Sequence, residues 1–83
     1  MSRDITLYSA AMCGDCQNLK TYMDAQGIAY TLRDIRKNLE YGEELEQQTG
    51  KLGVPYLVID GEWIRGYDIG KAFSEEFAQS LFA

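Results

Sequence analysis

Eighty-three residues leave room for one hydrophobic core, and 46% hydrophobic with 25% charged residues is the composition of a folded globular chain. Eight Lys and Arg against thirteen Asp and Glu leave a formal charge of -5, which argues against binding nucleic-acid phosphates or anionic lipid. The chain has no His, so Ser-His-Asp triads, Cys-His pairs and histidine-ligated zinc are excluded.

In chain order, Ile5-Thr6-Leu7-Tyr8 reads as a short strand of β-branched and aromatic residues, and Ser9 to Met12 as a loop. From Gly14 to Gln26, Cys16, Leu19, Tyr22 and Met23 follow helical spacing, with Gly27 and Ile28 as a C-terminal stop. Ile28, Tyr30 and Leu32 alternate with Ala29, Thr31 and Arg33, the period of a second strand. Asn38 is placed to cap a second helix running to about Thr49 and closed by Gly50. Val54 to Ile59, the Asp60-Gly61 turn and Glu62 to Arg65 read as a hairpin. Asp68 is expected to cap a last helix, with Ile69, Ala72, Phe73, Phe77 and Leu81 as its apolar stripe. Tyr22, Tyr30, Phe73 and Phe77 read as core.

The order is therefore β-α-β-α-β-β-α in a single domain spanning 1-83, without linker or repeat. A helix between the first two strands implies a parallel pair with a right-handed crossover, and the two-residue turn makes the last pair antiparallel. The expected architecture is an α/β fold, a four-stranded mixed sheet with helices on both faces. No apolar run approaches the roughly 20 residues that cross a bilayer. Met1-Ser2-Arg3-Asp4-Ile5 lacks the apolar core of a secretory signal, so a reducing cytoplasm is the expected location.

Both cysteines lie in one motif, Cys13-Gly14-Asp15-Cys16. A bond between them closes a four-residue ring, for which chain entropy supplies only about 2 kcal/mol, so a purely structural disulfide is a poor reading. A structural zinc site needs about four ligands, and here there are two thiols without imidazole. What remains is redox chemistry, or a metal or cluster shared with another molecule. Cys13 precedes a helix, where unpaired N–H groups and the positive dipole end favour a negative sulfur. Cys16 is one turn inward, roughly 5 Å away between Cα atoms, within the range a disulfide accepts. Cys13 is the expected nucleophile and Cys16 the resolving thiol. Asp15 opposes the charge of a Cys13 thiolate, although Asp is favoured in a first helical turn; it either tunes the site or points to solvent and helps start the helix.

Tyr8-Ser9, Cys13-x-x-Cys16, Gly53-Val54-Pro55, the Asp60-Gly61 turn and Gly66-Tyr67-Asp68 together resemble the glutaredoxin family of the thioredoxin-fold superfamily. The resemblance covers the whole chain and implies a thioredoxin-like fold and thiol–disulfide oxidoreductase activity on protein disulfides or glutathione mixed disulfides. It implies a Cys13 thiol more acidic than the free value of about 8.5. Val54-Pro55 would be the cis-proline segment, with Val54 backbone groups free to pair with a substrate chain. Gly66, Tyr67 and Asp68 would hold the γ-glutamyl end of glutathione at a helix N-terminus, and Lys51 the other carboxylate. Asp68 as a simple helix cap and Lys51 as a solvated cation are the plainer readings.

The motif departs from the family's commoner Cys-Pro-Tyr-Cys. Gly14 loosens the loop, and Asp15 implies a less acidic Cys13 and a more reducing couple. Ala10 stands where many relatives carry a Lys, leaving the site less cationic than glutathione would prefer. Family members lacking that Pro include dimers that hold a [2Fe–2S] cluster through one cysteine per subunit and glutathione, which makes Cys13 the alternative cluster ligand. Otherwise no bound cofactor is expected, glutathione is the expected co-substrate, and the partners are disulfide-containing client proteins and glutathione or a flavoprotein reductase, met by a monomer. Glu40, Glu43, Glu44 and Glu46 form either a solvated helix face or a docking surface for a basic reductase or client.

Overall fold

The computed structural model describes residues 4–82. The start of the chain, read above for a leader, lies outside the described residues up to position 3. The elements are β1 (Ile5–Ser9), α1 (Gly14–Ala25), β2 (Thr31–Asp34), α2 (Leu39–Thr49), β3 (Tyr56–Ile59), β4 (Glu62–Arg65) and α3 (Glu75–Leu81), in the expected β-α-β-α-β-β-α order. The sheet runs β2-β1-β3-β4, with β1 and β2 parallel and the other neighbours antiparallel. This is the thioredoxin-like α/β fold. Among the described residues no helix is long and apolar enough to cross a membrane.

Local chemistry sets most boundaries. Gly27, at φ +70°, ends α1, with its N–H bonded to the Asp24 carbonyl and that of Ile28 to the Met23 carbonyl. The Asn38 side chain accepts from the Glu40 N–H at the start of α2, and Gly50 ends it at φ +84°. Asp60 and Gly61, at φ 51° and 87°, make the tight turn between β3 and β4. The Asp4 N–H bonds the Asp60 carboxylate and the Asp60 N–H the Asp4 carbonyl, which tie this turn to β1.

Period-two alternation sends Ile5 and Leu7 to one face of the sheet, against Leu19 and Met23 of α1 and Ala78 of α3. Tyr8 points to the other face, where Arg33 joins it to Glu44 of α2. Tyr22, Tyr30 and Phe73 pack against the core as expected, and Phe77 is half-buried.

Several boundaries differ from the sequence reading. β3 starts at Tyr56 and not at Val54, because the cis Val54–Pro55 peptide lies in the connection before it. β1 runs on through Ser9, which is buried and paired with Asp34 of β2. β2 starts at Thr31, so Ile28 and Tyr30 pack on the core from the connection before it. The last helix begins at Glu75 and not at Asp68. Gly70 takes φ +75°, outside the helical region, and the Lys71 N–H closes a turn on the Asp68 carbonyl. Ser74 is the true cap, accepting from the Phe77 N–H, with Glu75 and Glu76 in the first turn. Ile69 and Ala72, drawn above on the buried stripe, are exposed.

Candidate active site

At the end of β1 the chain turns through Ala10, Ala11 and Met12, closed by a 3.2 Å bond from the Cys13 N–H to the Ala10 carbonyl. Cys13 is the N-cap of α1, extended at φ −97° and ψ 116°. Its sulfur stands where a Ser or Asp oxygen usually caps a helix and accepts the Cys16 N–H at 3.1 Å. An N–H donor and the positive end of a helix dipole are the surroundings a sulfur nucleophile needs. The Cys13 thiol is half-buried and reaches toward the Val54 carbonyl at 3.9 Å.

Cys16 is wholly buried, on the α1 face that also carries Leu19 and Met23. Burial pushes its thiol up to about 12, helped by a hydrogen bond and charge from Cys13 and opposed by the Ala10 amide and the Ser9 hydroxyl. Both thiols are free. The two sulfurs are therefore unequal in the sense the spacing implies, one at the surface and one protonated behind it.

The opposite wall is the 51–55 segment. The Val54–Pro55 peptide is cis, as the resemblance implies, and Pro55 is buried. The Pro55 carbonyl accepts the Gly66 N–H at 3.0 Å. Gly66 sits in tight space, since a Cβ there would lie 3.0 Å from the Pro55 oxygen and 3.1 Å from Leu19 Cδ2 and would press on both. Gly66 thus joins the cis-proline segment directly to α1. A Cβ on Gly53 would meet the Tyr67 hydroxyl at 2.8 Å and Lys51 Cε at 3.7 Å, so Lys51, Gly53 and Tyr67 converge on one ridge. Arg65 braces that ridge. Its Nε donates to the Tyr67 carbonyl at 2.9 Å, and its guanidinium lies 5.6 Å from the centre of the Tyr67 ring.

Cys13, Cys16, Val54 and Pro55 thus come together, with Gly66 behind them and Lys51 and Tyr67 alongside. Asp68 belongs to the turn after β4, so the expected helix N-terminus at Gly66-Tyr67-Asp68 is absent and offers no helical amides there. The space around Gly14 is open, and Asp15 is half-exposed in the first turn of α1.

Two residues were missed from sequence. Ser9 continues the inward alternation of Ile5 and Leu7, and that period was the available signal for a hydroxyl beside Cys16. Arg65 gives no local sign of its role, which depends on Tyr67 folding back beneath it.

The family model described as Glutaredoxin matches residues 5–64. The chain belongs to the glutaredoxin family, a class built on this fold and a Cys-x-x-Cys site for thiol–disulfide exchange. An uncharacterized glutaredoxin-like 8.6 kDa protein in the rubredoxin operon of Clostridium pasteurianum is 28% identical over 64 residues, covering 77% of this chain and 85% of that protein. The crystal structure of the thioredoxin-like protein BC3987 superposes with a TM-score of 0.73 at 26% identity, covering 94% of this chain and 99% of the other. A buckwheat glutaredoxin–glutathione complex superposes with a TM-score of 0.66 at 26% identity, covering 76% of this chain and 60% of the other.

Proposed function

We propose that the chain reduces protein disulfides and glutathione mixed disulfides through a dithiol cycle. The observation that carries this reading is the pairing of a half-exposed capping sulfur at Cys13 with a buried, protonated sulfur at Cys16 one turn on. The Cys13 thiolate attacks one sulfur of the substrate disulfide, forming a mixed disulfide as the other substrate sulfur leaves as a thiolate and takes a proton. Cys16 then loses its proton and attacks the Cys13 sulfur, releasing the second substrate thiol. Two electrons have passed to the substrate, and the chain holds a Cys13–Cys16 disulfide. Glutathione, or a flavoprotein reductase, returns two electrons and completes the cycle.

The ridge of Lys51, Val54, Pro55, Gly66 and Tyr67 borders the sulfur and supplies the substrate contacts, with backbone groups of Val54 pairing to the substrate chain. Lys51 and Arg65 give that ridge a local positive charge within an acidic protein, which suits a glutathione carboxylate. The solved buckwheat complex supports glutathione as a ligand of this family. The turn at Asp68 leaves its carboxylate able to meet an ammonium group, now without helical amides beside it. The protein acts as a monomer in the reducing cytoplasm.

Cys13→Ser removes the nucleophile and is expected to abolish reduction of both a protein disulfide and a glutathionylated peptide. Cys16→Ser is expected to lose the protein disulfide reaction while retaining part of the deglutathionylation, since glutathione can resolve the mixed disulfide in its place. Full activity in the Cys13 variant, read as thiol release, sinks the mechanism. Turnover with glutathione and its reductase against turnover with thioredoxin reductase identifies the electron donor. A brown dimer from anaerobic purification, containing glutathione and absorbing in the visible, would replace this reading with a [2Fe–2S] cluster held by Cys13 of each copy.

A further inference from the structure

The acidic run of α2 splits between two faces of the helix. Tyr41, Glu44 and Leu45 turn to the sheet, where both Glu44 carboxylate oxygens meet Arg33 at 3.1–3.2 Å. Leu39, Gly42, Glu43 and Glu46 have the i, i+3, i+4, i+7 spacing of a single stripe. Across that stripe stand Ile35, Arg36 and Leu52, and together these residues enclose an open groove of about 320 Å³. Its floor is apolar, and two of its large side chains are left to solvent, Leu39 at 80% and Leu52 at 53% exposed. A side chain on Gly42 would fill the space between Leu52 and Ile35, so its absence gives the groove depth. The rim carries two carboxylates against one guanidinium.

Both walls of the groove run into segments that lead to the reactive sulfur. The Ile35 N–H bonds the Ser9 carbonyl at 2.9 Å, at the strand end that leads to Cys13. Leu52 lies two residues before Val54, whose carbonyl faces the Cys13 sulfur.

We propose that this groove docks the client segment flanking the attacked cysteine, and that it selects an apolar side chain followed by Lys or Arg. The inference rests on the oxidoreductase reading and specifies its substrate class. The apolar side chain covers Leu39 and Leu52, and the basic residues meet Glu43 and Glu46, as the net charge of -5 also favours.

The test uses two peptides, Cys-Ser-Ser-Leu-Lys-Lys and Cys-Ser-Ser-Leu-Glu-Glu, each joined through its cysteine to a chromogenic aromatic thiol. Excess reduced full-length protein reacts in a single turnover, beside the symmetric disulfide of the same aromatic thiol as a small control. The basic peptide is expected to react about threefold to tenfold faster at low salt, with the advantage fading near about 1 M salt. The Glu43→Lys, Glu46→Lys double variant is expected to reverse that preference, and Leu39→Ser to slow both peptides, while the small control reacts as before. Equal rates for the two peptides, or a preference that survives charge reversal, overturns the docking site. Failure of the wild-type protein on the small control overturns the oxidoreductase reading instead, and the docking site with it.

Discussion

On one side of the sheet, Leu7, Leu57 and Ile59 meet Leu19, Met23 and Ala78, apolar side chains buried to 6% exposure or less. On the other side, Tyr8 lies 5.1 Å from the Trp63 ring and accepts from Arg33, whose guanidinium also sits 5.2 Å from the Tyr41 ring. The first face excludes water and gains from area and dispersion, terms that scale with how completely each side chain is enclosed. The second buries Tyr8 and Leu45 but is closed at its edge by charged and aromatic pairs that stay partly wet, Arg33 and Glu44 being 34% and 46% exposed. Stability should therefore be concentrated on the dry face. Cys16 is buried at the end of that face, and its reluctance to ionise comes from the same exclusion of water.

The largest expected effect is Leu57→Ala, at the centre of the dry face, which should cost about 2–5 kcal/mol in urea unfolding. For a domain of this size that is a large share of its total stability. A cost no greater than that of a change on the wet face would break the comparison.

A second effect follows from the Cys16 proton. Folding raises this thiol to about 12, so above about pH 9 the unfolded chain releases a proton that the folded chain keeps. The contribution is fully present below pH 9 and is lost as pH rises toward 12. Reduced protein should therefore lose up to about 1.4 kcal/mol of stability per pH unit in that window. Urea titrations at pH 8, 9 and 10 read this directly, and Cys16→Ser should flatten the Cys16 part of the dependence. A reduced wild-type chain and a Cys16→Ser chain with identical pH profiles would show that the dry face does not reach this sulfur.

The smallest effect is Glu44→Gln on the wet face. The pair is half-exposed and screened, so its loss should cost less than about 1 kcal/mol and shrink further in high salt. Emission from Trp63, beside Tyr8 in the same cluster, should scarcely move. A loss of several kcal/mol would mean that the Arg33 cluster, and not area burial, anchors α2 to the sheet.

Much of the site was legible because its parts are local. A cysteine just before a helical run lies beside that helix's free N–H groups, and the second cysteine falls one turn later whatever surrounds it. Val54-Pro55 was recognised only through the company of the other motifs. Asp68 followed by apolar residues imitates a helix start, and Gly70, with its left-handed backbone, was the neglected sign against it. Ser9 and Arg65 act through residues that adjoin them only after the sheet assembles.

By itself the amino-acid sequence determined the element order, the position of Cys13 at the start of α1, the cap at Asn38, the stops at Gly27 and Gly50, and the turn at Asp60-Gly61. Each depends on backbone groups within a few residues, and short-range hydrogen bonding and sterics settle them. Tertiary structure alone decided which acidic side chains of α2 face Arg33 and which face the groove, how closely Gly66 joins Pro55 to α1, and how far burial withholds the Cys16 proton. Those depend on solvent exclusion and on contacts between distant segments, which exist only once the chain has packed.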